Sequence, residues 1–165
     1  MDENLKKECM LLAIEEAKQA FQENEVPVGA VLVRNGEILA HDHNRCMQKG
    51  DYSAHAELLC MQKVSPRFHG RLDGCELVVT LEPCAMCTGA AINAKVARII
   101  FGAFDPHSGC CGSVFNLADH CFLFTVETEG GLMQEECAAL LTDFFQKRRN
   151  ENRLRRSTAC QSEGS

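Results

Sequence analysis

Two short motifs constrain the fold of this chain more than any other feature. The first is His-Ala-Glu at residues 55–57, and the second is Pro-Cys-Ala-Met-Cys at residues 83–87. An imidazole and two thiolates are donors that zinc prefers in a tetrahedral site, and three protein ligands leave one position open for water. The candidate ligands are His55, Cys84 and Cys87, so the fold must bring two distant segments together.

Glu57 is the carboxylate that would work beside such a metal. Zinc lowers the pKa of bound water from about 15.7 to about 7, which contributes at most about 12 kcal/mol to forming the nucleophile. Displacing an amino group from a purine or pyrimidine carbon also needs a proton on the ring nitrogen and a proton on the departing amine. One carboxylate within reach of both water and ring can carry these protons.

Two other uses of the Cys-x-x-Cys pair stay open. A redox motif in a thioredoxin-like fold usually opens the first helix after an early strand, whereas Cys84 lies mid-chain behind a proline. A structural zinc site would need a second Cys/His pair, and Cys110-Cys111 is too tightly spaced for two ligands of one tetrahedron. A catalytic zinc site is therefore the favoured interpretation.

Composition predicts one globular domain, because 45% of the 165 residues are hydrophobic and 24% are charged. We place a zinc-dependent domain at residues 1–150 and expect a disordered tail, first basic and then polar, at residues 151–165. The polar N-terminus predicts no signal or transit peptide, and no apolar run is long enough for a membrane helix. Eleven cysteines, an odd number, then indicate a reducing cytoplasm.

The charge is unevenly distributed along the chain. The net charge is −6, yet residues 147–156 carry six cations against Glu151 alone: Lys147, Arg148, Arg149, Arg153, Arg155 and Arg156. Two interpretations stay open. The run is either a solvated helix end or a patch that contacts nucleic-acid phosphates, which would make binding depend on salt.

Hydrophobic periodicity predicts an α/β fold. Five strands are expected, at residues 26–33, 37–41, 75–80, 96–102 and 122–126, with an Asn-Gly hairpin turn at residues 35–36. Helices are expected at residues 3–23, capped by Asp2, at 54–64, capped by Ser53, at 83–94, at 113–119 and at 134–149. This order indicates a mixed five-stranded sheet with helices on both faces and the metal ligands at two helix starts.

Further segments narrow the class of protein. They are Glu-Val-Pro-Val-Gly-Ala-Val at residues 25–31, His-Asn-Arg at 43–45, Thr-Leu-Glu at 80–82, Phe-Gly-Ala at 101–103 with Asp105, and Glu-Cys-Ala-Ala-Leu-Leu at 136–141 before Phe-Phe at 144–145. With these segments, the chain resembles the bacterial tRNA-specific adenosine deaminases, which make inosine at the wobble position of the anticodon. The zinc motif alone identifies only the wider deaminase superfamily.

The resemblance implies a three-layer α/β/α, cytidine-deaminase-like fold with Zn²⁺ on His55, Cys84 and Cys87 and Glu57 as the catalytic proton shuttle. It implies that the flipped nucleotide contacts Asn44, Val28, Ala56, Leu81 and Asp105. It also implies a tRNA anticodon stem-loop as partner, bound near the interface of a homodimer.

Plainer roles for several of these residues stay open. Asn44 is also suited to capping the loop backbone, and Asp105 to starting a turn. Val28 and Leu81 are core residues first. The phenylalanines at residues 144–145 are predicted to pack the last helix, with stacking on an unpaired base as the alternative.

Two positions depart from the family pattern. Phe104 stands where the family often has Arg, which removes a possible phosphate contact. Cys110-Cys111 replaces small, less reactive residues. Both changes concern how the protein would bind RNA, and neither alters the catalytic groups. The remaining histidines receive no metal role: His41, His43, His69, His107 and His120.

Two other functions stay open. A free base or nucleotide deaminase, of the guanine, cytosine or dCMP type, would share the His-x-Glu motif. A non-catalytic zinc protein that binds RNA as a subunit would be expected to lack the shuttle carboxylate, and Glu57 is present.

Overall fold

The architecture is a mixed five-stranded sheet, seen in a computed structural model that describes residues 1–120 and 122–162, with side chains through residue 157. The strands are β1 (Gly29–Arg34), β2 (Glu37–His43), β3 (Cys75–Leu81), β4 (Arg98–Ala103) and β5 (Glu127–Gly130). Their order across the sheet is β2-β1-β3-β4-β5. Strand β1 is antiparallel to both neighbours, and β3, β4 and β5 are parallel.

The described residues form five helices. They are α1 (Glu3–Gln22), α2 (Cys46–Lys49), α3 (Ala56–Val64), α4 (Ala85–Ala94) and α5 (Gln134–Ser162). Of these, α1, α3, α4 and α5 pack on the two faces of the sheet. Two 3₁₀ turns, Ser65–Phe68 and Leu117–Asp119, complete the elements of the described residues. Among these residues, no helix is both long and apolar enough to cross a membrane.

The side chains of β1 point alternately to the two faces of the sheet, so the core has two layers. Val31 and Val33 pack with α1 and the start of α5, whereas Ala30 and Leu32 pack with α3 and α4. Successive strand residues point to opposite faces, so a strand buried on both faces is apolar throughout. Gly29 lets α1 lie directly on β1, because a Cβ there would be 1.9 Å from the Ala13 carbonyl oxygen. The predicted three-layer α/β/α fold is confirmed.

The predicted fifth strand at residues 122–126 is wrong. The segment is apolar, yet Phe122, Leu123 and Phe124 are exposed and only Val126 is buried. The edge strand is the polar segment Glu127–Gly130, which pairs with β4. Its carboxylates find partners outside the strand: Glu127 pairs with Arg98, and Glu129 with the buried Lys6 of α1. Residues 127–130 form the edge strand because they find partners in β4 and α1, although residues 122–126 are more apolar.

Several element ends also differ from the prediction. Asp2 caps α1 as expected, but β1 begins at Gly29, and only Leu117–Asp119 of residues 113–119 is helical. Residues 42–52, which lie between the predicted strand 37–41 and the predicted helix 54–64, contain the end of β2 and helix α2. Helix α5 continues to Ser162, so the disorder expected at 151–165 does not match the structure up to that residue. Helix-favouring Arg and Glu explain the extension. Residues 163–165 lie outside the described residues.

Candidate active site

The candidate metal ligands lie where two helices begin. His55 is the N-cap residue of α3, Cys84 is the N-cap residue of α4, and Cys87 lies in the first turn of α4. Ser53, the predicted cap of α3, instead donates its hydroxyl to Asp51. Because the positive ends of both helices face this point, they stabilise thiolate charge there.

The geometry of the three donors fits zinc. His55 Nδ1 lies 3.7 Å from Cys84 Sγ and 3.5 Å from Cys87 Sγ, and the three donor atoms all lie within 4.8 Å of one another. A tetrahedral zinc with bonds of about 2.0 Å to nitrogen and 2.3 Å to sulfur separates its N and S ligands by about 3.5 Å. The side chains thus stand at the spacing that the ion requires.

The two thiols form a coupled pair. The pKa of Cys84 is lowered to about 4, first because Cys87 donates a hydrogen bond to its sulfur, against the effect of burial, and next because His55 does. The same bond with Cys84, together with burial, raises the pKa of the Cys87 thiol. The two thiols therefore share one proton, which a bound metal ion would displace.

Glu57 lies beside the ligands with an unused acceptor. Its side chain is buried, and its Oε2 has no hydrogen-bond partner among the described residues. Burial raises the pKa of its carboxyl above the ordinary value. A buried carboxylate oxygen without a partner is costly, and a water at an open metal position would satisfy it. This orphaned oxygen is the second observation that fits a catalytic zinc.

A cavity of about 760 Å³ opens onto these groups. Four of the five predicted substrate contacts line it: Asn44, Val28, Leu81 and Asp105. The fifth, Ala56, is fully buried and does not line the cavity. Its N–H donates to Asn44 Oδ1 at 2.9 Å. Asn44 thus caps the start of α3 and lines the cavity at the same time.

Asp105 has the plainer of its two predicted roles in the structure. Its carboxylate accepts from the N–H groups of His107 and Ser108, at 2.9 and 3.2 Å, and from the Ser108 hydroxyl. These bonds lower the pKa of its carboxyl despite partial burial. Asp105 lies at the cavity, but its oxygens hold its own turn.

Sequence reasoning missed two buried glutamates at the cavity. Glu82 accepts from the N–H groups of Asp105, Cys111 and Ser113, each at 3.0 Å, and from the Ser113 hydroxyl. It therefore ties residues 105–113 to the end of β3. Glu25 similarly accepts from two N–H groups at the start of α2. In the sequence, the only indication of this structural role is a single carboxylate directly beside a buried strand or an apolar segment.

We expect Glu82→Ala to lower the free energy of unfolding by about 3 kcal/mol, because buried N–H groups that bond a carboxylate would be left unpaired. Urea unfolding measures this change as a shift in midpoint at constant slope. Glu37→Ala, at the exposed first residue of β2, is the control and should stay within about 0.5 kcal/mol of the parent. Equal effects of the two substitutions would contradict the role of Glu82.

The last helix supplies part of the cavity wall. Phe144 is buried and Phe145 is exposed, and both line the cavity with Arg148 and Arg149. The basic run thus begins at the cavity. The predicted packing role fits Phe144, which lies edge-on to Phe21 at 5.6 Å, and leaves Phe145 available for contact.

The Cys110-Cys111 pair does not contribute to the cavity wall. Both residues are free cysteines and both are buried. Burial raises the pKa of Cys110, and raises that of Cys111 to about 11. Burial therefore disfavours the thiolate of both residues, which is the reactive form of cysteine.

A second group of possible metal donors has other partners. Glu16, Asp42 and His43 lie close together. His43 binds Glu16 through Nδ1 and Glu23 through Nε2, at 2.5 and 2.9 Å. Asp42 binds Arg45 and Lys63. These internal bonds account for the cluster without an ion.

Comparison with known proteins agrees with this site. Residues 3–103 match the model of the cytidine and deoxycytidylate deaminase zinc-binding region. The chain is 43% identical over 146 residues to a tRNA-specific adenosine deaminase of Bacillus subtilis, covering 87% of this chain and 91% of the relative. It is 41% identical over 140 residues to one of Aquifex aeolicus, covering 84% and 93%.

Solved structures show the same fold. A structure from a study of tRNA:A34 deaminases at the wobble position superposes with a TM-score of 0.77 at 37% identity, covering 81% of this chain and 99% of that one. A guanine deaminase from Nitrosomonas europaea superposes with a TM-score of 0.68 at 22% identity, which shows the fold alone.

Fold and site together define a zinc-dependent deaminase. Within the cytidine and deoxycytidylate deaminase family, the chain belongs to the tRNA-specific adenosine deaminases. The predicted resemblance and the predicted Zn²⁺ are confirmed.

Proposed function

We propose that this protein deaminates adenosine to inosine at the wobble position of a tRNA anticodon loop. Zn²⁺ would be held by His55, Cys84 and Cys87. The observation that carries the proposal is the buried Glu57 Oε2, which has no hydrogen-bond partner among the described residues and lies beside these three donors at a cavity of about 760 Å³. The tRNA substrate is supported by relatives at 43% and 41% identity.

Glu57 carries the protons of this reaction. When bound, zinc supplies an activated water at its open ligand position. Glu57 accepts a proton from the attacking water and donates it to N1 of the adenine. It then transfers the remaining proton of that water to the amine that leaves C6. The carboxyl must hold a proton between the two transfers. Its burial, which raises its pKa, stabilises that protonated form.

The cavity residues position the base. Asn44 Oδ1 is engaged by Ala56, so its Nδ2 is the atom that donates to the base or ribose. Ala56 acts through this bond and not by contact. Val28 and Leu81 supply apolar walls, and Asp105 acts on the nucleotide by ordering the turn at the rim. Flipping the base costs little in a loop that is already unpaired.

We further propose a cytoplasmic homodimer. The nine cysteines whose side chains the structure describes are all free, which suits a reducing compartment. Within segment 114–124, Val114, Phe115, Phe122 and Leu123 are at least 44% exposed. An exposed apolar patch of this kind is typical of a protein interface and supports self-association.

Mass analysis of an anticodon stem-loop after incubation with the zinc-loaded protein tests this function. We expect one adenosine, at the wobble position, to gain the mass of an NH-to-O exchange, and a stem-loop that already carries inosine there to stay unchanged. Ammonia release from guanine, cytosine or dCMP, with none from the stem-loop, would assign the protein to the free base and nucleotide deaminases. No turnover of any substrate would favour a non-catalytic RNA-binding subunit.

A further inference from the structure

Two aromatic rings stand half exposed at the rim of the cavity. Phe104 is 47% exposed and Phe145 is 46% exposed, and both line the cavity. They belong to separate elements: Phe104 directly follows β4, and Phe145 lies in α5. Large apolar side chains exposed beside a binding cavity mark a contact surface.

Phe104 is held in place by the residues behind it. Its ring lies edge-on to the buried Phe101, with centroids 5.1 Å apart and planes at 87°. Gly130 makes room for it, because a Cβ at that position would be 2.9 Å from Phe104 Cζ. One edge is therefore fixed by packing while half of the residue remains accessible.

The surroundings suit a nucleotide more than an apolar ligand. Arg148 and Arg149 line the same cavity as the exposed rings of Phe104 and Phe145. Arg148 also lies over the ring of the buried Phe144 at 5.5 Å. Cations beside exposed rings are the combination that proteins use for single-stranded nucleic acid, with the cations near the phosphates and the rings against the bases.

We propose that Phe104 is a specificity-determining residue that stacks on a base next to the target adenosine, an inference that rests on the proposed function. Flipping the target base out of the loop leaves its neighbours without one stacking partner. An aromatic ring fixed at the rim replaces that partner, as in other proteins that recognise unpaired RNA. Phe104 contributes to RNA binding by stacking and not by a phosphate contact, so its contribution does not depend on salt concentration.

The test combines Phe104→Leu with stem-loops that lack the base on the 5′ or the 3′ side of the target. We expect Phe104→Leu to raise KM about 5-fold or more, as loss of one stacked base does, with kcat nearly unchanged. Removing the stacked base should raise KM similarly. The two changes together should raise KM no further than either alone. Phe104→Tyr should retain the parent KM, because it keeps the ring.

Phe104→Arg provides a second readout. It loses the stack and gains a phosphate contact, so the plot of log KM against log salt should steepen by about 0.7, the value for one contact to a single strand. Phe68→Leu is the control, since Phe68 lies before β3 and does not line the cavity. It should leave KM, the response to missing bases and the salt slope unchanged.

The inference would be overturned if the KM increases caused by Phe104→Leu and by a missing base multiplied, whichever of the two flanking bases was removed. A Phe104→Tyr variant that is as impaired as Phe104→Leu would also overturn it. Failure of the proposed function looks different: the parent protein would then make no inosine in the intact stem-loop. A parent that makes inosine without coupling to Phe104 overturns the stacking inference alone.

Discussion

Glu57→Gln will bind zinc fully and form no measurable inosine. The amide has the size of the carboxyl, so the cavity and the three ligands are kept, but it cannot accept the water proton. Loss of one general acid–base group typically costs 10²- to 10⁴-fold. Because Glu57 serves both proton transfers, we expect a fall in kcat of at least about 10³-fold. Single-turnover conversion of the stem-loop, with zinc content by mass spectrometry, measures both quantities.

Glu76→Gln is a matched control for this substitution. Glu76 Oε2 also has no hydrogen bond among the described residues, but Glu76 belongs to β3 and does not line the cavity. Its kcat should stay within about 3-fold of the parent. Activity retained by Glu57→Gln would show that another group moves the protons.

Cys87→Ala will lose both zinc and activity. The substitution removes one of three protein ligands, so zinc affinity should fall by more than about 100-fold, the upper end of the loss caused by outer partners of a ligand. Dialysis against a chelator should inactivate the parent protein, and added zinc should restore it. The variant should not recover under the same zinc concentration.

Cys60→Ala controls for loss of a buried thiol. Cys60 and Cys87 are equally inaccessible, at 0% exposure, but Cys60 donates to the Ala30 carbonyl and not to the site. This variant should retain one zinc and recover activity after chelation. Full zinc content in Cys87→Ala, measured on folded protein, would contradict the assigned ligand set.

Local patterns were enough to predict the parts of this fold that depend on neighbouring residues. The helix after Asp2 and the Asn-Gly turn follow from a cap and a turn motif within a few residues. Helices α3 and α4 begin within two residues of their predicted starts, although Ser53 does not cap α3. The proximity of the three candidate ligands was also predictable, because His55, Cys84 and Cys87 belong to motifs with fixed spacing.

Features that depend on distant partners were not predictable in this way. Segment 127–130 becomes the edge strand because β4, Lys6 and Arg98 offer it partners. Glu82 is buried because three N–H groups of a later loop meet there. The edge strand has no local signature, and the only local indication for Glu82 is a single carboxylate directly after a buried strand. Asn44 shows the intermediate case, since its residue type allowed two roles and the structure combines them.

The central claim is that His55, Cys84 and Cys87 hold one zinc beside Glu57. A crystal structure measured at the zinc absorption edge tests it most directly. We predict a single anomalous peak about 2.0 Å from His55 Nδ1 and about 2.3 Å from both sulfurs, with a water between the metal and Glu57. A peak at Glu16, Asp42 and His43, or folded protein with no zinc peak, would contradict the account.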